Sequence, residues 1–155
     1  MQTEPLDELL PLAKAFRIAY GAGLFICVAW PLAIQLLLGT AIRSGTIPPL
    51  GVAQQLGYTF SGLTFLAALF VTWRWGRVRD GFRTLAPGQR PGLLIRETLI
   101  YAALFELTTL YGIIYYALGG PGAERYSRSF VALTTIMFFV FVPRLEAWRE
   151  AARGE

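Results

Sequence analysis

The stretch TLIYAALFELTTLYGIIYYALG, residues 98–119, is apolar along its whole length apart from one charged side chain, Glu106. As an α-helix it is long enough to cross ~30 Å of hydrocarbon. Comparable stretches occur at residues 18–39, 51–73 and 129–147, although Pro143 interrupts the last of them. The pattern predicts an all-α fold, an integral membrane four-helix bundle that forms one membrane domain over residues 1–155.

The composition agrees with a surface that faces lipid. Of the 155 residues, 55% are hydrophobic and only 15% are charged, whereas soluble domains carry about 45–50% apolar and about 25% charged residues. There is no histidine, and Cys27 is the single cysteine. These counts exclude histidine or cysteine zinc sites, histidine-ligated haem, cysteine-ligated iron–sulfur clusters and hydrolases with a catalytic histidine. No metal or other cofactor is expected.

The distribution of cations predicts the orientation of the bundle. Lys14 and Arg17 precede the first span, six arginines lie between residues 74 and 97, and three arginines follow the fourth span. The opposite side has only Arg43, Arg125 and Arg128. The positive-inside rule therefore places both termini and loop 74–97 in the cytoplasm, as in a multi-pass protein of the cell (inner) membrane. Because topology explains the net charge of +4, no nucleic-acid partner is expected.

The segments outside the spans are predicted to lie at the membrane surface. Apolar residues at helical spacing predict a short interfacial helix at each end, the first bent near Pro11. Loop 74–97 is rich in glycine and proline, which favours turns. Its arginines are expected to contact lipid headgroups or to dock a partner, and the candidates are Arg74, Arg77, Arg79, Arg83 and Arg90.

Glu106 is the strongest candidate for chemistry. It lies near the predicted bilayer midplane, where an acidic side chain costs about 2.5–3.5 kcal/mol, and no Lys or Arg lies inside any span except Arg144, at the end of the fourth. We therefore expect a neutral carboxyl group with a hydrogen-bond partner on a neighbouring helix. Ser61 and Thr64 come to a similar depth on the antiparallel second span, and one of these hydroxyls is the predicted partner. Glu106 then serves either as a reversible proton or cation site, or as an interhelical hydrogen bond.

A basic loop precedes the helix that carries Glu106, and Tyr111 and Gly112 come after Glu106, in residues 90–112, RPGLLIRETLIYAALFELTTLYG. This order resembles the loop and carboxylate helix of the rotor-ring proteolipids of rotary ATP synthases. The resemblance implies a membrane hairpin in which Glu106 binds an ion. The second span departs from that family, since it has separated glycines among bulky residues instead of a GxGxGxG zipper.

Two classes of function fit the sequence. The first is a small structural or accessory subunit of a larger membrane complex, which is not an enzyme and which contacts lipids, other membrane subunits or copies of itself. The alternative is a proton- or cation-coupled small carrier or proteolipid-like subunit that uses Glu106. Replacement of Glu106 by Gln distinguishes them, because only the second class needs a titratable group there.

Overall fold

A computed structural model describes residues 6–40 and 50–153, with side chains placed for residues 10–37, 54–120 and 122–153. Within these ranges the chain is helical, with short turns and without strands, which confirms the all-α prediction for the described residues. Arg43, one of the cations expected on the outer side, lies outside them. The helices are α1 (Leu6–Leu24), α2 (Trp30–Thr40), α3 (Leu50–Phe82), α4 (Arg90–Gly119), α5 (Glu124–Phe141) and α6 (Leu145–Arg153).

Four segments of the described chain are long and apolar enough to cross a membrane: Leu10–Leu37, Gln54–Phe82, Pro87–Gly119 and Glu124–Arg153. They cover most of each stretch expected from the sequence and extend beyond it at one end or both. Each segment leaves large apolar side chains on its outer surface, for example Trp30, Phe65, Leu110 and Phe139. Such an exposed apolar surface is what a lipid environment requires.

Helix α4 is the centre of the bundle and packs against α1, α3 and α5. Its Tyr101 and Phe105 are fully buried in a core with Cys27, Val71 and Phe138 from the neighbouring segments. Helix α3 lies at the edge and contributes a narrower stripe to the interior. That stripe repeats every three to four residues and consists of Phe60, Thr64, Ala68 and Val71.

The arginine-rich segment is more regular than its composition predicts. Helix α3 continues to Phe82 and α4 begins at Arg90, so the prediction of turns over residues 74–97 is wrong except at residues 83–89. Proline is tolerated near the start of α4 because Pro91 stands in its first turn, where no helical N–H partner is needed. Packing overrides the glycines within α3, since Phe82 is fully buried at this end of the bundle.

The two predicted interfacial helices are part of the bundle. Helix α1 includes Pro11 without interruption and continues towards the first span. At the other end, α5 stops at Phe141, and α6 begins after Pro143. The indole of Trp148 in α6 is fully buried. It packs against the rings of Trp75, at 4.7 Å between centroids, and Phe82, at 5.1 Å. Helix α6 therefore closes a second core at the arginine-rich end, together with Leu12, Ala15, Ala19, Leu94 and Ala151.

Candidate functional site

Glu106 is a half-buried residue of α4. One of its oxygens, Oε2, is 3.3 Å from the hydroxyl of Thr109, one turn later on the same helix. The other oxygen, Oε1, is buried and has no hydrogen-bond partner. In the described part of the chain no ion pair includes Glu106, and no group of three or more acidic or cysteine side chains could hold a metal ion.

Two buried threonines extend this contact from α4 to α5. The hydroxyls of Thr109 and Thr134 are 2.9 Å apart, and that of Thr134 donates to the carbonyl of Phe105 at 3.3 Å. Each hydroxyl has one proton to donate. All three contacts are satisfied together if a protonated Glu106 donates to Thr109, Thr109 donates to Thr134, and Thr134 donates to Phe105. We call this set the threonine chain; it begins and ends on α4.

A π-helical turn, Phe25–Ala29, joins α1 to α2 beside the threonine chain. The sequence predicts a bend here, because Pro31 lacks the N–H that would bond the carbonyl of Cys27. The hydroxyl of Thr135 in α5 donates to that carbonyl at 2.7 Å, and the Cys27 thiol donates to the carbonyl of Ala102 in α4 at 3.3 Å. The irregular turn thus becomes a polar contact among three helices.

Neither Ser61 nor Thr64 is placed against Glu106. The Thr64 hydroxyl donates to the carbonyl of Phe60 in its own helix at 2.9 Å, a common bond for threonine within helices. Ser61 lines a pocket between α3, α4 and α5 instead. The depth of these residues along the span was predictable, but their direction around the helix axis depends on how α3 packs.

The structure shows an ion pair that the sequence analysis did not predict. The carboxylate of Glu97 accepts from Nε of Arg74 at 2.5 Å and from Nη2 at 2.8 Å. The Glu97 side chain is 2% exposed and that of Arg74 is 28% exposed. The hydroxyl of Tyr101 is buried nearby. Arg74 and Glu97 lie at similar distances from the connection between α3 and α4. Residues so placed in an antiparallel hairpin come side by side, and this spacing is the feature of the sequence that could have predicted the ion pair.

The five arginines predicted to meet lipid or a partner fall into two groups. Arg74 is held by Glu97, and Arg90 donates to the carbonyls of Leu85 and Arg83 at 3.2 Å each, which closes the turn. The side chains of the other three are exposed on α3 or just after it, and the guanidinium of one lies over the ring of Trp73 at 4.3 Å. The three exposed arginines are Arg77, Arg79 and Arg83. The one whose guanidinium lies over Trp73 is Arg77.

The segment that resembles rotor-ring proteolipids is packed on two sides. Tyr111 stacks on Phe60 of α3 with ring centroids 4.7 Å apart, and the carbonyl of Gly112 accepts from Ser127 of α5 at 2.6 Å. A Cβ at Gly112 would lie 2.8 Å from the Ser127 carbonyl oxygen, so only glycine fits this close approach. No family model, curated protein or solved structure matches the chain.

Proposed function

We propose that the protein is a multi-pass protein of a cell inner membrane, with both termini in the cytoplasm, and a small structural or accessory subunit of a larger membrane complex rather than an enzyme. The observation that supports this is the threonine chain. Its two threonine hydroxyls link α4 to α5, and Glu106 contacts the first of them, Thr109, within α4. An intramembrane carboxyl group used in this way stabilises the bundle.

The arginine-rich end provides the surface for lipids and for other subunits. The exposed guanidinium groups of Arg77, Arg79 and Arg83 extend from a helical end that Trp148 anchors. A pre-ordered surface loses less conformational entropy on binding than a flexible loop does. Anionic headgroups near this surface would each contribute about 1 kcal/mol per arginine.

Purification from the native membrane in mild detergent tests this proposal. We expect the protein to elute with other membrane polypeptides in a fixed ratio, as identified by mass spectrometry and by the total mass. Glu106→Gln should preserve this association, because the amide can donate to Thr109 as a protonated carboxyl group does. Glu106→Leu should lower thermal stability, because it removes the donor. Elution of the wild-type protein alone would contradict the proposal.

A second candidate is a proton- or cation-coupled carrier or proteolipid-like subunit. It is favoured by Oε1 of Glu106, which is buried and without a partner and so can accept a further ligand. Reconstituted vesicles distinguish the candidates: a proton or cation flux that the wild-type protein supports and Glu106→Gln abolishes would establish the carrier. If the accessory role is correct, the two proteins should give the same flux as empty vesicles.

A hydrophobic carbodiimide, which modifies protonated carboxyl groups in membranes, gives a direct readout of Glu106. We expect the label on the peptide that contains Glu106. Glu97 is an internal control, because it is paired with the guanidinium of Arg74, whereas Glu106 has no ion pair among the described residues. Label on Glu97 with none on Glu106 would contradict the hydrogen-bond order of the threonine chain.

A further inference from the structure

A pocket of about 460 Å³ opens between α3, α4 and α5, near the end of the bundle opposite to the arginine-rich end. It is separate from the threonine chain, since Tyr115 lies roughly 13 Å further along α4 than Glu106 at 1.5 Å per residue. Its volume is within the range of about 300–1,000 Å³ that is usual for small-molecule sites. The lining includes Gln54, Gly57, Tyr58, Tyr115, Tyr126 and Phe130.

The walls of this pocket are aromatic. Tyr115 is 8% exposed and packs edge-on to Tyr126, with ring centroids 6.2 Å apart, and tilted against Phe130 at 6.1 Å. Gly57 borders the pocket on the α3 side and faces the ring of Tyr115, since a Cβ there would lie 3.5 Å from that ring and 3.7 Å from its hydroxyl oxygen. A side chain longer than a methyl group at this position would therefore compete with Tyr115 or with a ligand for the same space.

The polar atoms of the pocket are donors without charge. Gln54 Nε2 donates to the hydroxyl of Tyr58 at 3.1 Å, which leaves the Tyr58 proton for another acceptor. The Tyr115 hydroxyl has no hydrogen-bond partner among the described residues, and Ser61 adds a further hydroxyl. The described lining residues include no Asp, Glu, Lys or Arg. A phospholipid headgroup would leave its phosphate there without a counter-charge, which is unfavourable.

We propose that this pocket binds the ring of a lipophilic quinone. Such a ring is planar and uncharged, its two carbonyl oxygens accept hydrogen bonds from tyrosine hydroxyls, and its isoprenoid tail can leave along the exposed apolar surface of α3. The aromatic walls match the planar ring of this ligand, and the neutral donors match its carbonyl oxygens. The proposal concerns binding alone and is independent of the role of Glu106.

Calorimetric titration of the purified full-length protein with decylubiquinone tests the proposal. We expect saturable binding that Gly57→Leu weakens by at least tenfold, because the new side chain fills the pocket. The matched control is Gly62→Leu on the same helix, where a Cβ would meet nothing within 4 Å, and its affinity should equal that of the wild type. Binding that is not saturable, or is equally strong in Gly57→Leu, would overturn the proposal.

A second pair of variants keeps the test valid if Gly57→Leu folds poorly. Tyr115→Phe retains the ring and removes one donor. We expect about fivefold weaker binding, because this is the change in affinity that the loss of one neutral hydrogen bond causes. Tyr111→Phe is the control, because its ring stacks on Phe60 and does not line the pocket. A photoreactive azidoquinone should label peptides from α3, α4 or α5 that border the pocket. Label confined to other helices, or displacement by phosphatidylglycerol, would overturn the assignment.

Discussion

The carboxylate of Glu97 accepts two hydrogen bonds from the guanidinium of Arg74 and so joins α4 to the edge helix α3. Glu97 is almost completely buried, whereas about a quarter of Arg74 remains exposed, at 28%. The ion pair therefore adds a polar attachment to the apolar contacts that Trp75 and Phe82 make at the arginine-rich end of α3.

Replacement of Glu97 by Gln should therefore destabilise the bundle. Breaking a buried pair typically costs about 3–5 kcal/mol, and we expect a value near the lower limit because water still reaches Arg74. Thermal unfolding in detergent measures the effect. The control is Asp80→Asn, which breaks the exposed contact of Asp80 with Arg79 at 3.8 Å and should cost less than about 1 kcal/mol. Equal losses in the two variants would contradict a structural role for Glu97.

The hydroxyl of Thr135 should be needed for the π-helical turn. In Thr135→Val the carbonyl of Cys27 loses its donor, because Pro31 cannot replace it, and we expect a loss of about 1–2 kcal/mol in stability. Thr72→Val is the matched control. The Thr72 hydroxyl bonds the carbonyl of Ala68 in its own helix, and that carbonyl retains its helical N–H donor. If both variants melt at the same temperature, Thr135 does not stabilise the turn.

The close approach of α4 and α5 should make Gly112 intolerant of a methyl group. In Gly112→Ala the Cβ would meet the carbonyl oxygen of Ser127 at 2.8 Å and a methyl of Val131 at 2.9 Å, so the helices must separate at a cost of about 1–3 kcal/mol. Gly62→Ala, in open space on α3, should instead be neutral or stabilising by up to about 1 kcal/mol. Melting temperatures of the two variants in one detergent check the difference, and a neutral Gly112→Ala would contradict the observed packing.

Helix α6 should depend on Trp148 for its position. Trp148→Ala removes the ring that packs on Trp75 and Phe82, and the cavity should cost about 3–5 kcal/mol. Hydrogen exchange should accelerate in α6 and in the last turns of α3. Trp148→Phe is the informative control, because it keeps an aromatic ring and removes an indole N–H that is buried without a partner. Exchange in Trp148→Ala that matches the wild type would show that α6 is held by other contacts.

Several features of this protein follow from the sequence because they depend on local composition. The four apolar stretches and the helical fold could be predicted, since crossing hydrocarbon requires only length and apolar side chains along one continuous segment. The bend before Pro31 could also be predicted, because it depends on a missing N–H. The helices that cover residues 74–82 and 90–97 could not be predicted, because the glycines and prolines of this segment favour turns locally. Burial of Phe82 and Trp148 outweighs that preference.

The candidate sites depended on the tertiary structure to a greater extent. The sequence indicates that Glu106 lies within a candidate membrane span without a cation beside it, whereas Ser61 and Thr64, the partners expected on α3, form no hydrogen bond with it among the described residues. Thr109 is its neighbour because it lies one turn later on the same helix, and the packing of α4 against α5 then brings Thr134 to Thr109. The ion pair of Glu97 and the tyrosine-lined pocket likewise depend on how neighbouring helices pack against one another. Depth along a helix follows from residue number, whereas direction around its axis is decided by which side chains pack between neighbouring helices.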